Sequence, residues 1–363
     1  MMVELRIKKV WVDRKVEADD FTRQLLDRLA GRPVEVVDSA EPVRETVRLS
    51  SDPVGESKQH LFITAQPSFI RPCPCTPGCL GCGYWTIDLD LNCPFDCSYC
   101  ILQDYLGLQP LTVAVNREQL RGELEEFIRQ GRSGLIRLGT GELADSLALD
   151  GLTQNSAFLM DIFRGREKLW LELKSKSGWT QSLRLLAPAE NVVLAWSLNP
   201  QVVIDYEEKG TASLEERLQA AAEAVRQGHR VGFHFDPIIH YQGWREDYAQ
   251  VVESIFRRIP LEAIAWVSLG SLRFPPGLLS LARRRFPESQ IYEHEFIRSA
   301  EGKYRYPRPL RQWLYKEMAG MFAEFGAEGR LYLCMESVEV WQEFLDKIKR
   351  GRRNFAFPFP WQC

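Results

Sequence analysis

A repeated alternation of apolar runs and amphipathic segments constrains the fold of this 363-residue chain more than any other feature. Six short apolar runs have the length and the β-branched and aromatic content of buried strands. They cover residues 85–91, 135–139, 169–174, 192–198, 231–236 and 264–269. Between them, residues 117–130, 153–163, 213–227 and 247–258 carry apolar side chains at helical spacing. Strands that alternate with helices predict an α/β fold with a parallel sheet and outer helices, here a partial (β/α)6 barrel of the TIM type.

The sequence on either side of this alternation predicts two smaller parts. Residues 1–83 predict a small α/β appendage, with a helix from Asp20, its expected cap, to Leu29 and strands at 34–37 and 58–65. Residues 84–275 contain the alternating strands, and residues 276–363 predict a C-terminal extension. Since 45% of the residues are hydrophobic, a chain of this length buries a large core, and we expect one main domain with two additions.

The N-terminus and the cysteines indicate where the chain works. The first residues lack the apolar core of a secretory signal, and no run approaches the ~20 apolar residues that cross a bilayer. Seven of the nine cysteines lie between residues 73 and 100, unlike the spread of a secreted disulfide framework. The sequence therefore predicts a cytoplasmic protein that does not associate with membranes and whose cysteines bind metal.

Three cysteines directly follow the first predicted strand. Cys93, Cys97 and Cys100 have C-x3-C-x2-C spacing, at the strand end where a barrel of this kind carries its active site. Such a tight loop lets three thiolates converge on one centre, and thiolates are the usual ligands of iron–sulfur clusters and of zinc. Structural zinc prefers four protein ligands, so a cluster with one open iron fits better, while zinc and inert core cysteines remain the alternatives.

This cysteine loop resembles the signature of the radical S-adenosylmethionine (SAM) enzymes, in its spacing, in the aromatic Tyr99 and in its place after a strand. The resemblance implies a radical SAM barrel in which Cys93, Cys97 and Cys100 hold a [4Fe–4S] cluster. The fourth iron would bind SAM, and its cleavage would give a 5′-deoxyadenosyl radical, with Tyr99 lining the SAM site. A reductase such as flavodoxin or ferredoxin would supply the electron.

Other predicted SAM contacts lie at the ends of the next strands. The sequence GTGE at 139–142 resembles the Gly-Gly-Glu element of these enzymes, which implies that Glu142 binds the amino group of SAM. A Gly-rich turn with a solvated glutamate is the alternative. Lys174 is predicted to pair with the SAM carboxylate, and Ser197 suits a ribose or carboxylate contact. On the fifth strand, His234 and Asp236 are predicted to face the same side.

A longer block narrows the resemblance to the spore photoproduct lyase family. Residues 235–248 (FDPIIHYQGWREDY), the cysteine loop, Asp145 and the DGLT sequence at 150–153 resemble that family's pattern. The family reverts a thymine–thymine adduct in DNA, so the resemblance implies DNA or a nucleotide as substrate. One departure concerns Glu142, which occupies the position of a cysteine that returns a hydrogen atom to the product radical. A carboxyl O–H bond is too strong for that role, so another group, such as Cys334 or a tyrosine, would donate.

A second cysteine-rich loop precedes the barrel. Cys73, Cys75, Cys79 and Cys82 lie among prolines and glycines, and four thiolates suffice for zinc or a second cluster. Their spacing matches no standard metal motif, so packing beside the main cluster is an equal alternative. Two alternative functions follow from this loop. If it holds an auxiliary cluster, the protein would be a radical SAM enzyme that acts on a peptide or small molecule. If it binds zinc, the protein would be a non-catalytic, zinc-stabilised nucleic-acid-binding protein.

Features of the C-terminal part suit a nucleic-acid substrate without requiring one. The net charge of −3 excludes a wholly basic binder, but basic clusters lie at 283–285 and 347–353. Tyr304, Tyr306 and Trp313 could stack on an extruded base, although ordinary solvated helix faces give the same pattern. The apolar residues 354–363 are predicted to dock on the barrel as a lid.

Overall fold

The structure is a computed structural model that describes residues 6–73, 79–130, 134–178, 181–184, 186–299 and 301–349. Its strands are β1 Lys9–Asp13, β2 Val34–Val37, β3 His60–Thr64, β4 Ile70–Pro72, β5 Cys79–Leu80, β6 Tyr84–Ile87, β7 Asp90–Leu91, β8 Asp96–Cys97, β9 Leu111–Ala114, β10 Ile136–Gly139, β11 Leu169–Ser175, β12 Val192–Ser197, β13 Glu208–Lys209, β14 Arg230–Ile238, β15 Ile264–Ser271, β16 Arg273–Phe274, β17 Ile297–Arg298, β18 Tyr304–Arg305, β19 Leu331–Leu333 and β20 Glu336–Ser337. Its α-helices are α1 Asp20–Arg28, α2 Glu41–Arg48, α3 Pro53–Ser57, α4 Leu102–Tyr105, α5 Glu118–Arg129, α6 Asp150–Thr153, α7 Asn155–Phe163, α8 Gln181–Arg184, α9 Gln201–Glu207, α10 Leu214–Arg226, α11 Trp244–Phe256, α12 Pro276–Arg285, α13 Arg308–Ala323 and α14 Val338–Lys349.

The main sheet has the order β19-β15-β14-β12-β11-β10-β6-β4. The six predicted strands are its central ones, adjacent in chain order and parallel throughout. Two edge strands were not predicted: β19 adds in parallel to β15, and β4 pairs antiparallel with β6. The predicted α/β class is therefore confirmed, with a sheet of eight strands.

Contacts across the main sheet show that it is curled into a half-barrel. β10 and β19 are five positions apart in the sheet, which is about 24 Å when a sheet is flat. Yet the guanidinium of Arg137 on β10 lies 4.9 Å from the ring centroid of Tyr332 on β19. The same guanidinium lies 4.9 Å from the ring of Trp266 on β15. Side chains of distant strands thus meet inside the curve, and the carboxyl ends of the strands surround one opening, the barrel mouth.

A second, smaller sheet packs beside the barrel. Its order is β2-β1-β3-β9-β7, with β7 antiparallel to β9 and the other pairs parallel. The strand predicted at 85–91 is divided between the two sheets: β6 ends at Ile87, and β7 at Asp90–Leu91 joins the smaller sheet. The small sheet is thus completed by residues from beyond position 83, because the chain crosses from one sheet to the other just before the cysteine loop.

The helices follow the predicted amphipathic segments with local corrections. Asp19 caps α1 by accepting from the amides of Phe21 and Thr22, so the predicted cap, Asp20, is wrong by one residue. The helix predicted at 153–163 is interrupted at Gln154, whose φ of 54° is left-handed and separates α6 from α7. Among the described residues, no helix is both long and apolar enough to cross a membrane.

Candidate active site

The cysteine loop places three thiols next to one another at the carboxyl end of β6. Cys93 and Cys97 are buried, and Cys100 is half-buried. Burial raises the pKa of the Cys93 thiol to about 12 and raises that of Cys97 well above its usual range. Cys100 lies close enough to raise both further. Cys93 and Cys97, which resist ionisation on their own, and the neighbouring Cys100 suit a cationic centre that stabilises thiolates.

The number of thiols in this loop bears on which centre they fit. In the described part of the chain, no group of three or more His, Cys, Asp or Glu side chains could hold a metal ion. A structural zinc ion takes four protein ligands, whereas a [4Fe–4S] cluster held by three thiolates keeps one open iron. By ligand number, three cysteines in one loop therefore fit such a cluster better than a structural zinc ion.

Buried polar side chains from outside the loop hold its backbone in place. The ammonium of Lys58, next to β3, donates to the carbonyl oxygens of Cys93 at 3.0 Å and Phe95 at 2.6 Å. The amide of Gln103 donates to the carbonyl oxygen of Cys97 at 2.8 Å. Nothing in the local sequence signals the role of Lys58, because its partners lie about 35 residues further along the chain.

Arg285 joins three parts of the molecule at the outer side of the loop. Its guanidinium forms two hydrogen bonds with Asp52, at 2.7 and 2.9 Å, and two with Asp96, at 3.0 and 2.8 Å. Its side chain is only 5% exposed. The predicted basic cluster at 283–285 is therefore wrong for this residue, since Arg285 is occupied by carboxylates, while Arg283 and Arg284 are exposed.

We expect Arg285→Ala to lower the free energy of unfolding by about 2 kcal/mol, because two partly buried carboxylates lose their cation. Chemical denaturation of the isolated protein measures this change. Arg284→Ala removes the neighbouring exposed arginine and is the matched control, with no measurable effect expected. Equal stability of the two variants would show that Arg285 does not hold the loop.

Tyr99 belongs to a buried network that links the cysteine loop to the strand ends. Its hydroxyl donates to Glu208, which also accepts from Asn199 at 2.8 Å and pairs with Arg217. The side chains of Glu208 and Arg217 are both 0% exposed. Burial raises the pKa of Glu208, but Arg217 and Lys176 outweigh it and hold that pKa below its usual value. Tyr99 is therefore fixed next to the thiols by an ion pair.

The predicted residue Ser197 is buried at the end of β12 and connects to the same network. Its carbonyl oxygen accepts from Arg217 at 2.9 Å. Lys176, which the sequence prediction did not single out, has its ammonium 5.8 Å from the ring centroid of Tyr99. Burial raises the pKa of Cys97, and the positive charge of Lys176 offsets part of that rise. Tyr99 and Ser197 are thus brought together through Arg217, with a cation beside them.

Glu142 and Lys174 meet directly at the barrel mouth. Their side chains form an ion pair of 2.7 Å in which both are about a quarter exposed, at 25% and 21%. Burial lowers the pKa of Lys174, but Glu142 and Glu172 together raise it above its usual value. Two strand ends thus present one negative and one positive charge side by side.

The glycines of the GTGE sequence are explained by packing against these side chains. A Cβ on Gly139 would lie 1.8 Å from the hydroxyl of Tyr84, and one on Gly141 would lie 2.9 Å from the side chain of Lys174. The predicted close approach of the backbone is therefore present, and the approaching groups are Tyr84 and Lys174. A larger residue at position 141 would press on the Lys174 side chain that pairs with Glu142, and one at position 139 would press on Tyr84.

The carboxylate of Glu172, below the mouth, connects β11 with β14 and β15. Glu172 on β11 is 1% exposed and accepts from Trp266 at 2.5 Å. It also contacts Nε2 of His234 at 2.8 Å. His234 lies toward the interior, as the alternation along its strand predicts, and Glu172 is a partner that the sequence did not indicate. An isolated acid in an otherwise apolar strand was the available signal.

Asp145 shapes the loop that follows β10. Its carboxylate accepts from the amides of Leu147 and Ala148, at 3.0 and 2.9 Å. It also accepts from the hydroxyl of Ser175 and the amide of Lys176, both at 2.7 Å. The residue therefore joins the loops after β10 and β11, and so fixes the positions of Glu142 and Lys174.

The second cysteine-rich loop lies against the C-terminal part of the chain. The Cys79 thiol donates to the carbonyl oxygen of Met335 at 3.5 Å, and Arg137 contacts the sulfur of Cys82 at 3.0 Å. Cys75 lies outside the described residues, so the prediction of a second metal site stays open.

The aromatic residues predicted for base stacking differ in their exposure. Tyr306 is 0% exposed and stacks on Phe296 at a centroid distance of 5.0 Å, so the prediction is wrong for this residue. Tyr304 is half-buried, and Trp313 is 39% exposed and packs edge-on against Trp244. Residues 354–363 and the side chains at 347–353 lie outside the described part of the chain, and the lid prediction falls there.

Comparison with known proteins identifies the family of this site. The sequence model of the spore photoproduct lyase family matches residues 54–325. The chain belongs to the spore photoproduct lyase family. Spore photoproduct lyase of Geobacillus sp. (strain Y412MC61) is 23% identical over 281 residues, 75% of this chain and 78% of the relative. The enzyme of Bacillus subtilis (strain 168) is 22% identical over 264 residues, 70% of this chain and 73% of the relative.

Solved structures of the same family share the fold. A spore photoproduct lyase complexed with dinucleoside spore photoproduct superposes with a TM-score of 0.77 at 20% identity, covering 90% of this chain and 98% of the other. A mutant spore photoproduct lyase with bound AdoMet and dinucleoside spore photoproduct gives 0.78 at 20% identity, with 92% and 99% covered. Members of this family are radical SAM enzymes that use a [4Fe–4S] cluster and SAM, so the predicted enzyme class and cofactors are confirmed.

Proposed function

We propose that this protein is a radical SAM enzyme that reverts a thymine lesion of the spore photoproduct type in DNA. The observation that carries this proposal is the group of three neighbouring thiols, Cys93, Cys97 and Cys100, at the carboxyl end of a curled parallel sheet. Family membership supports it. The six central strands, within residues 84–275, would form the catalytic barrel, flanked by the predicted N- and C-terminal parts.

In this proposal the three thiolates hold the cluster, and bound SAM supplies a radical able to remove a hydrogen atom from carbon. Glu142 and Lys174 would bind the amino acid moiety of SAM. Because they already form a pair of opposite charges at 2.7 Å, a ligand with an ammonium and a carboxylate can replace their mutual contact with two matched contacts. Tyr99 would line the site, and Ser197 would contact ribose or carboxylate.

The substrate assignment comes from relatives. Solved members of the family are described with dinucleoside spore photoproduct bound. A lesion joining two thymines must leave the base stack to reach a buried radical, and damaged bases are the easiest to extrude. We therefore propose that the substrate is a lesion in DNA, and that its two nucleosides flip out of the base stack into the active site.

A reductase remains part of the proposal, and one surface suits the entry of its electron. A cavity of about 730 Å³ borders the cysteine loop and is lined by Lys58, Phe95, Asp96 and Lys209, among others. Flavodoxin or ferredoxin would deliver the electron there. The cytoplasm, where such carriers work, is the proposed location.

The proposal is tested by anaerobic reconstitution, reduction with dithionite and chromatography for 5′-deoxyadenosine and repaired dinucleoside. Formation of both products supports it. Formation of 5′-deoxyadenosine without repair would leave a radical SAM enzyme acting on another substrate, such as a peptide or small molecule. A colourless protein that binds zinc and forms neither product would contradict the enzyme assignment.

We expect Glu142→Gln to raise the Kd of SAM about tenfold, because the amide keeps the shape of the side chain and loses the charge that faces the ammonium. Isothermal titration of the reconstituted enzyme measures the change. Glu126→Gln, an exposed glutamate of α5, is the matched control and should leave the Kd unchanged. Unchanged affinity in Glu142→Gln would remove this residue from the SAM site.

A further inference from the structure

Cys334 places a thiol at the barrel mouth from the edge strand that the sequence did not predict. It follows β19 directly, and its amide donates to the carbonyl oxygen of Leu269 on β15 at 2.8 Å. Side chains alternate along a strand, so Cys334 faces the same side as Tyr332. Because Tyr332 contacts Arg137 in the interior, the thiol of Cys334 also points into the barrel, one layer closer to the mouth.

Charged groups of the mouth surround this thiol. Arg273 donates to its sulfur at 3.7 Å and forms two hydrogen bonds with Asp236, at 2.7 and 3.0 Å. Asp236 also interacts with the thiol, and the charge of Glu142 reaches it. Cys334 is thus held beside the residues that we assign to SAM, although it is separated from Glu142 by nearly 200 positions in the sequence.

The surroundings keep the sulfur protonated. Burial raises the pKa of Cys334 well above its usual range, and the nearby carboxylate of Asp236 raises it further, against the opposing effect of Arg273. A nucleophile or metal ligand needs a thiolate, whereas a hydrogen-atom donor needs an intact S–H bond. A protonated thiol that is held at the mouth by Arg273, at 3.7 Å, therefore suits donation of a hydrogen atom rather than of an electron pair.

We propose that Cys334 is the catalytic residue that returns a hydrogen atom to the substrate radical. This inference rests on the proposed function, in which removal of a hydrogen atom leaves a carbon radical on the lesion. The S–H bond of Cys334 breaks, a C–H bond forms on the product, and a thiyl radical remains. One electron from the low-potential reductase and one proton from solvent restore the thiol. A thiol S–H bond is weaker than an ordinary alkyl C–H bond, so a thiol can return a hydrogen atom to a carbon radical.

The first test follows the origin of the transferred atom. Reconstituted enzyme in D2O is given dinucleoside spore photoproduct, and mass spectrometry measures deuterium in the repaired dinucleoside. A thiol exchanges with solvent, so we expect one deuterium per product from the wild type. Cys334→Ala and Cys334→Ser should form 5′-deoxyadenosine within about twofold of the wild-type rate, while deuterated product falls at least about fiftyfold.

Two matched variants exclude other donors. Cys79→Ala removes a half-buried thiol that faces Met335, and it should give wild-type deuterium content. Tyr84→Phe removes a buried hydroxyl that lies near Gly139 inside the barrel. Loss of deuterium in Tyr84→Phe with retention in Cys334→Ala, or wild-type product without deuterium, would overturn the proposal.

A second readout separates this proposal from the lesion assignment. If the wild type forms 5′-deoxyadenosine but no repaired product, the lesion assignment fails. The position of Cys334 is then tested by the deuterium content of the 5′-deoxyadenosine that forms without substrate. A thiol within reach of the 5′-deoxyadenosyl radical transfers a solvent-derived hydrogen atom to it. Loss of this deuterium in Cys334→Ala supports a position of the thiol next to the radical. Equal deuterium content in the wild type and in Cys334→Ala overturns the proposal. In metal-free protein, dinucleoside should also slow the alkylation of Cys334 and not that of Cys79.

Discussion

Replacing Cys97 with alanine is expected to abolish the formation of 5′-deoxyadenosine, with a loss of at least about a hundredfold. Cys97 is 5% exposed and is the second of the three cysteines in the sequence of the loop. Two thiolates leave one further iron without a protein ligand, so the cluster should not assemble. The wild type should contain about four irons per chain and a brown chromophore, and the variant close to none. Iron analysis and anaerobic chromatography measure both effects.

The control variant also removes one cysteine, but from a different loop. Cys79→Ala removes a thiol of the second cysteine-rich loop, outside the group of three. It should retain the chromophore and the reaction. About eight irons in the wild type, falling to about four in Cys79→Ala, would instead show an auxiliary cluster in that loop. Full activity of Cys97→Ala would contradict the assignment of the site.

Replacing Arg217 with alanine is expected to cost about 3–5 kcal/mol of the free energy of unfolding, the largest stability effect that we predict. The guanidinium and the carboxylate of Glu208 are both 0% exposed, so the variant leaves a buried, uncompensated charge. The same change removes the cation that holds Glu208, and Glu208 is the acceptor for the hydroxyl of Tyr99. Denaturation of the metal-free protein separates the loss of stability from any loss of the cluster.

Two variants show whether the effect comes from the buried charge. Arg226→Ala removes an exposed arginine of the same helix, α10, and should leave stability unchanged. Adding Glu208→Gln to Arg217→Ala should recover part of the stability, because the neutral amide no longer carries an unpaired charge. A double variant as unstable as the single one would show that packing, and not charge, decides the contribution of Arg217.

The sequence by itself determined the elements whose signals are local. Apolar runs such as 192–198 identified the central strands, because burial on both faces of a parallel sheet leaves a continuous hydrophobic stretch. Cys93, Cys97 and Cys100 lie within eight residues, so their spacing alone indicated a common centre. The same local reasoning failed for β19, which has only three residues and is recognised as a strand by its pairing with β15.

Only the tertiary structure decided the partners of the charged and reactive side chains. Arg285 meets Asp52 across 233 positions, and Glu172 meets His234 across 62. In the sequence, Arg285 is one of three equivalent arginines, and nothing local distinguishes the buried one. Cys334 likewise becomes a neighbour of Asp236 only when β19 pairs with β15, the strand next to β14. Burial and pairing of such groups depend on which strands become adjacent, and that is a property of the whole packed chain rather than of any segment.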